Sequence, residues 1–336
     1  MRFYSFTKRL CAFILGAVFL IGGLFKLMDP VGSALVMESY FSFLHLGFLR
    51  ALSTEITLVF NLLECFVGVS LVSGIWVKVM RNITLALLSI FTILTLLLLI
   101  FNPDMDCGCF GEVVHLTHLQ SFLKNVFLFV LWGIAFLPYV RQHRRPLYRK
   151  IVSGIVGVMV LVFAAYSFMR LPLLDLTELH TGKELVEGDI SLMDDAGDYS
   201  DALLLNGKVV LVSVYNPSRA NCQVIDRIRR QARHAGLRTV VAVSGDLSME
   251  EGCSISTYFA DRKALVSVNR ANMGVTFISA GQIAQKWTPG EFLSLSDSEL
   301  KKVVETDPSE LILDETLSGR RRFGIIALAF FVFLLI

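Results

Sequence analysis

Long apolar blocks fill the first half of the chain, and short, interrupted ones fill the second. Five blocks approach the roughly 20 residues that a helix needs to cross a bilayer. They cover about 10–28, 56–77, 83–101, 122–140 and 151–169. The third, ITLALLSIFTILTLLLLIF, carries no charged residue. The first follows a basic start, MRFYSFTKR, as the core of a signal peptide would. It ends in LFKLMDP, without a small-residue cleavage pattern, and so reads as a retained span.

From about residue 171 the periodicity shortens. GKVVLVSVY is a nearly continuous apolar run of strand length, as expected of a buried central strand. NCQVIDRIRRQARHAG puts Val224, Ile225, Ile228 and Ala232 in a helical pattern that stops at Gly236. LRTVVAVSG follows as a second strand, which predicts a β-α-β unit with parallel strands. GVTFISAGQIAQKW predicts a hairpin turning at Ala280-Gly281. SDSELKKVVET predicts a closing helix, capped by Ser296 or Asp297 and with Glu299 in its first turn. The expected organisation is a four-helix membrane region at 1–140, a basic loop and fifth span at 141–170, an α/β domain at 171–319, and a hydrophobic segment at 320–336. That last segment, GRRRFGIIALAFFVFLLI, is short for a span and has its basic flank on the unexpected side. A truncated span, an interfacial anchor and a partly inserted tail all fit it.

Composition agrees with a membrane protein. The 336 residues are 54% hydrophobic and 18% charged, and the mean hydropathy is +0.63. A net charge of +2 leaves no footprint for nucleic acid. The placement of Lys and Arg is more informative. Arg2, Lys8 and Arg9 precede the first span, Lys78 and Arg81 follow the second, and RQHRRPLYRK follows the fourth. Between Asn102 and Gln120 there is no Lys or Arg. The bias predicts an inner amino terminus, with the 102–120 loop and everything after residue 171 outside. In a bacterium this would be a multi-pass protein of the inner (cytoplasmic) membrane, with its α/β domain in the oxidising periplasm.

Six cysteines give the candidate chemistry. Cys11 and Cys65 lie within apolar runs and read as inert small hydrophobes. Cys107 and Cys109, in DCGCFG, are one residue apart in the outer loop. A disulfide across so small a ring departs from preferred geometry and is easily reduced, which suits exchange better than a structural staple. Gly108 permits the torsions of a tight ring. Two reduced thiols in a static turn are the plainer reading. A metal site is a rival, because Cys107, Cys109, His115 and His118 form C-x-C-x5-H-x2-H, a ligand set that suits copper or zinc. Cys222, at a predicted helix start near Arg219, has a position that favours its thiolate, an inert buried cysteine being the alternative, and Cys253 could pair with it. Lys26 and Glu64, within or near spans, are ionisable residues for which a mutual contact is one option.

Three stretches carry a family resemblance over about residues 10–140. LGAVFLIGGLFKLMDP followed by Tyr40, NLLECFVGVSLVSG and DCGCFG resemble the DoxX-like superfamily, and within it the family of the methylamine utilisation protein MauE. That resemblance implies a four-helix membrane core in a methylamine-metabolism setting, and a thiol-disulfide role in maturing an exported, disulfide-rich protein. Residues 171–319 are similar to membrane-tethered thioredoxin-like domains. On that pattern Arg219 stands at the first active-site cysteine and Cys222 at the second, while Met273 stands at the usual cis-proline.

The expected function is thiol-disulfide exchange in the maturation of exported proteins. Cys107 and Cys109 form the centre, and Cys222 is presented to it or to a client. Partners would be the lipid bilayer and an exported client or periplasmic thiol-disulfide protein. A quinone is an acceptor the bundle could hold, although no residue pattern marks one. The alternatives are a non-enzymatic scaffold with a degenerate thioredoxin-like domain, and metal handling by the Cys/His loop.

Overall fold

The computed structural model describes residues 2–103, 105, 107–112, 116–137, 147–169, 175, 177–245 and 256–316. The chain divides into two compact units, one built on Met1–Met169 and one on Arg170–Gly324. His115, Cys253, most of the basic loop after the fourth span and the 320–336 segment lie outside the described residues.

The first unit is helical. It comprises α1 (Arg2–Met28), α2 (Pro30–Phe43), α3 (Ser53–Ser73), α4 (Val77–Phe101), a short extended segment β1 (Cys109–Glu112), α5 (His118–Phe136) and α6 (Leu147–Met169). Five helical stretches among the described residues, ending in α1, α3, α4, α5 and α6, are long and apolar enough to cross a membrane. Helix ends follow local chemistry more closely than hydropathy. Gly74, at φ 69°, closes α3 before the expected end at 77. Helix α4 begins at Val77, ahead of the apolar run, because Lys78 and Arg81 continue the helix without being apolar. Thr117 and Gln120 form a reciprocal capping box that starts α5. Helix α2 was not marked by any span-length pattern. It starts where the Asp29 carboxylate accepts from the Gly32 N–H at 2.9 Å and Pro30 occupies the first turn.

Small residues set the closest helix crossing. A Cβ at Gly68 of α3 would lie 2.6 Å from the Leu20 backbone nitrogen of α1, and one at Gly16 would lie 2.8 Å from the Leu71 Cβ. The two backbones therefore touch, the usual way that membrane helices gain packing where lipid gives no hydrophobic drive. Leu15, Phe19, Val67, Leu88 and Leu128 fill the centre of the bundle. Ile90, Ile93 and Ile100 of α4 and Val126, Val130 and Ile134 of α5 stay exposed. Outward apolar faces of this kind suit a lipid surround. The Ser167 hydroxyl donates to the Met28 carbonyl at 3.1 Å, tying α6 to the end of α1.

The second unit contains α7 (Ala202–Leu205), β2 (Lys208–Val214), α8 (Cys222–His234), β3 (Arg238–Val243), β4 (Tyr258–Phe259), α9 (Arg262–Val268), β5 (Gly274–Ser279), β6 (Gln282–Trp287), α10 (Pro289–Ser294), α11 (Asp297–Glu305) and α12 (Pro308–Thr316). Its sheet has the order β4-β3-β2-β5-β6. Strand β2 runs parallel to β3 and antiparallel to β5, so the expected β-α-β unit and hairpin both form. Strand β2 is buried on both faces, as its unbroken apolar run requires. Val210, Val212 and Val214 pack with Ile225 and Ile228 of α8, while Val209 and Leu211 pack with Leu192 and Leu265. The hairpin turns at Ala280 and Gly281, both at positive φ, as a two-residue primed turn demands. Ser296 caps α11 in a capping box with Glu299. A further helix, α12, follows the one expected to close the domain.

Candidate functional site

The DCGCFG loop lies against α1, α2 and α5. Gly108 has φ +59°, and a Cβ there would come within 2.4 Å of Val36 Cγ1 on α2. Glycine is thus required twice, by the torsion and by the close approach. Gly111, at φ +63°, returns its N–H to the Gly108 carbonyl at 3.2 Å and completes the turn. On the α1 side the loop backbone passes close to Gly22; a Cβ there would stand 3.5 Å from the Cys109 carbonyl, an ordinary contact. The Tyr40 hydroxyl donates to the Cys107 carbonyl at 2.8 Å, fixing the loop to α2. Burial keeps that phenol protonated well above its ordinary range, with the two cysteines adding to the effect.

The two sulfurs occupy unlike surroundings. Both cysteines are free thiols, Cys107 buried and Cys109 partly exposed. Ser121 of α5 donates to the Cys107 sulfur at 2.8 Å. The Cys107 thiol also hydrogen-bonds Cys109, and this bond, together with burial, pushes Cys107 upward. The same bond pulls Cys109 down to about 5, against burial, with Lys124 and Lys26 helping. The shared hydrogen bond therefore shifts the two thiols in opposite directions, Cys109 toward the thiolate and Cys107 toward the protonated form.

Below the loop the bundle encloses a cavity of about 290 Å³, with Cys107, Gly108 and Cys109 in its wall. Lys26 and Glu64 also line it and form a two-pronged ion pair at 2.7 and 2.9 Å. The contact that the sequence left as one option is made. The Lys26 ammonium also lies 5.4 Å from the centroid of the Phe91 ring. Ser33, Tyr40, Thr95 and Lys124 add polar groups to the wall, as do the buried Thr57, Asn61 and Asn125. These three, with Ser121 and Lys124, were not singled out from the sequence. A signal existed: Thr57, Asn61, Glu64 and Gly68 recur at helical spacing on one face of an otherwise apolar segment.

The other candidates fall elsewhere. His118 is engaged at both ring nitrogens, Nε2 with the Met105 carbonyl at 2.9 Å and Nδ1 with the Asn102 side chain at 3.1 Å. His115 lies outside the described residues, and among those described no group of three or more His, Cys, Asp or Glu side chains is gathered for a metal. Cys11 and Cys65 are buried free thiols. Cys222 begins α8 in the second unit and is disulfide-bonded; Cys253, its suggested partner, lies outside the described residues. Asn221 caps α8, and its own N–H donates to the Met273 sulfur at 3.2 Å. Arg219 stands exposed in the short turn before it.

No curated protein and no solved structure matches the chain. Residues 4–138 match the family model of the methylamine utilisation protein MauE. The match covers the helices and the loop that build the site just described, so in this part the chain is similar to the MauE family.

Proposed function

We propose that this protein is a membrane thiol-disulfide exchange component with Cys107 and Cys109 as its centre. The observation that carries the proposal is a closely spaced pair of free cysteines, one buried and one partly exposed, in a loop braced by Tyr40, Ser121 and Val36; the opposite shifts of their two thiols support it. In the exchange, the Cys109 thiolate attacks one sulfur of a partner disulfide and expels the other as a thiolate. Cys107 then gives up its proton and attacks the Cys109 sulfur, releasing the second partner thiolate. The pair is oxidised to a disulfide and the partner is reduced by the same two electrons; the reverse sequence oxidises a partner dithiol. Once Cys109 is tied up in the mixed disulfide, the bond that raised Cys107 is gone, so the resolving thiol becomes more acidic when it is needed.

The charge bias of the loops supports an inner-membrane orientation with the CGC loop and the second unit on the oxidising side. The sheet order and strand directions of the second unit support a thioredoxin-like fold, with Cys222 at the start of the helix after the central strand. Its absent first cysteine and its bonded Cys222 favour a docking role for that unit over independent redox chemistry. Acid-trapping of thiols in intact cells, followed by alkylation with a mass tag, tests the whole. Wild type should show a reversible two-tag shift, and Cys107→Ser should accumulate a mixed disulfide on Cys109. Cysteines that remain reduced under oxidising and reducing growth alike would overturn the proposal.

A further inference from the structure

The cavity beneath the loop holds three polar atoms that nothing satisfies. Thr57 Oγ1, Asn61 Nδ2 and Asn125 Oδ1 are buried without a hydrogen-bond partner, and all three residues line it. The orientation of the Asn125 amide is fixed by its neighbours: Thr95 donates its hydroxyl to the Phe91 carbonyl and receives the Asn125 amide N–H at 3.1 Å. The free Oδ1 is therefore an acceptor. The wall thus offers an unmet donor, an unmet acceptor and a hydroxyl that can act as either. Buried groups of this kind are costly to leave unmade and mark a place for a ligand or ordered water.

The remaining chemistry narrows the ligand. The Lys26 and Glu64 charges cancel in their ion pair, and Lys124 stands against the Cys109 sulfur. No cationic pocket is left for a phosphate headgroup. Apart from these polar groups and Ser33, Tyr40 and Thr95, the lining is mostly aliphatic and aromatic, including Phe19, Phe60, Leu88 and Phe91. Ile90 both lines the cavity and is 43% exposed on the outer surface of α4, so the wall there is one side chain thick. At about 290 Å³ the space lies near the lower end of small-molecule sites, about 300–1,000 Å³. It suits a ring-sized headgroup with its tail left in the bilayer.

We propose that this cavity binds the headgroup of a prenyl quinone, with Asn61 donating to one quinone oxygen and Asn125 accepting from the same group once it is reduced. The inference rests on the proposed exchange role of Cys107 and Cys109. Oxidation of the pair forms one S–S bond and releases two electrons to the ring. The two new O–H bonds of the quinol take one proton from the Cys107 thiol and one from solvent by way of the loop, where Lys124 meets Cys109. Neither amide changes its protonation. The quinone is the oxidant that would regenerate the disulfide each time the pair has oxidised a partner dithiol.

The test uses the full-length protein in detergent micelles. Its lipid extract is analysed for quinones by mass spectrometry, and the reduced protein is then mixed with ubiquinone-1 or menadione while quinone absorbance and free thiols are followed. The expected result is stoichiometric loss of one quinone and two thiols. Thr57→Val, which is nearly isosteric, should weaken quinone affinity about 2–10-fold, as loss of one hydrogen bond does, and Asn61→Leu should weaken it at least as much. Cys109→Ser should keep binding and lose reduction. If wild type exchanges disulfides with glutathione but neither carries nor reduces a quinone, the quinone inference fails while the exchange role stands. If the thiols exchange with nothing, the exchange role fails. Binding indifferent to both Thr57→Val and Asn61→Leu would place the quinone elsewhere and also overturn the inference.

Discussion

Replacing Cys107 by alanine removes the largest single influence on Cys109, the hydrogen bond from the neighbouring thiol. With that bond the Cys109 thiol sits at about 5; without it the thiol should climb toward the ordinary value of about 8.5. Two consequences oppose each other. Near pH 6 the wild-type sulfur is almost all thiolate, whereas the variant holds about 0.3% thiolate if the full value returns. A more basic thiolate is also intrinsically more nucleophilic, with a Brønsted slope of about 0.4–0.5. A rise of roughly 3.5 units then gives a limiting rate about 40-fold higher. Alkylation of Cys109 should therefore be about sevenfold slower in Cys107→Ala at pH 6 and about 40-fold faster at pH 10, the two profiles crossing between. Any part of the shift retained through Lys124 moves the crossing to lower pH. The assay is the rate of iodoacetamide labelling from pH 4 to 10, read by mass spectrometry on the peptide containing Cys109. Parallel profiles, or a wild-type midpoint above 8, would refute the assignment of Cys109 as the thiolate of the pair.

Two other predictions concern buried charge. Lys26→Met leaves Glu64 buried without its partner, which should destabilise the membrane unit by about 3–5 kcal/mol. Adding Glu64→Gln should recover most of that loss, and both effects are readable as shifts of the thermal midpoint in detergent. In the second unit, Asp175 pairs with the buried Lys286 at 2.7 Å. Burial alone would raise this carboxyl, but Lys286, with Thr177 and the Thr181 N–H, outweighs it and holds it below the usual range. A depressed carboxyl contributes stability that is complete above its unfolded value of about 3.9 and is lost as pH falls through the folded value. Asp175→Asn should therefore flatten the acid limb of the stability profile below about pH 4, measured by denaturant unfolding followed by circular dichroism. An unchanged acid limb would show that the pair contributes nothing there.

The amino-acid sequence by itself determined the elements that depend on nearest neighbours along the chain. Runs such as ITLALLSIFTILTLLLLIF set the spans, because a bilayer selects apolar length. The sequence GKVVLVSVY followed by a helix and LRTVVAVSG set the parallel pair, and Ser296 with Glu299 set a helix start. DCGCFG was visible as the candidate centre, since two cysteines around a glycine need no fold to be noticed. Where the apolar run and the helix differ, as at Val77, hydropathy misplaced the boundary: a helix can extend through charged residues that a bilayer would reject. Helix α2 was not legible because its start is a cap at Asp29 and not a period.

Only the tertiary structure decided what the cysteine pair can do. Tyr40 reaches Cys107 across 67 residues, Lys26 reaches Glu64 across 38, and Asn125 reaches Thr95 across 30. The Lys26–Glu64 meeting depends on how closely α1 and α3 cross, which Gly16 and Gly68 fix by letting the two helices touch. The unlike protonation of Cys107 and Cys109 follows from the same packing. It arises from the direction of one hydrogen bond and from the places of Ser121 and Lys124 on α5. Local pattern selects elements because its energy is local. A site made of polar groups from five helices takes shape only when packing brings those groups together.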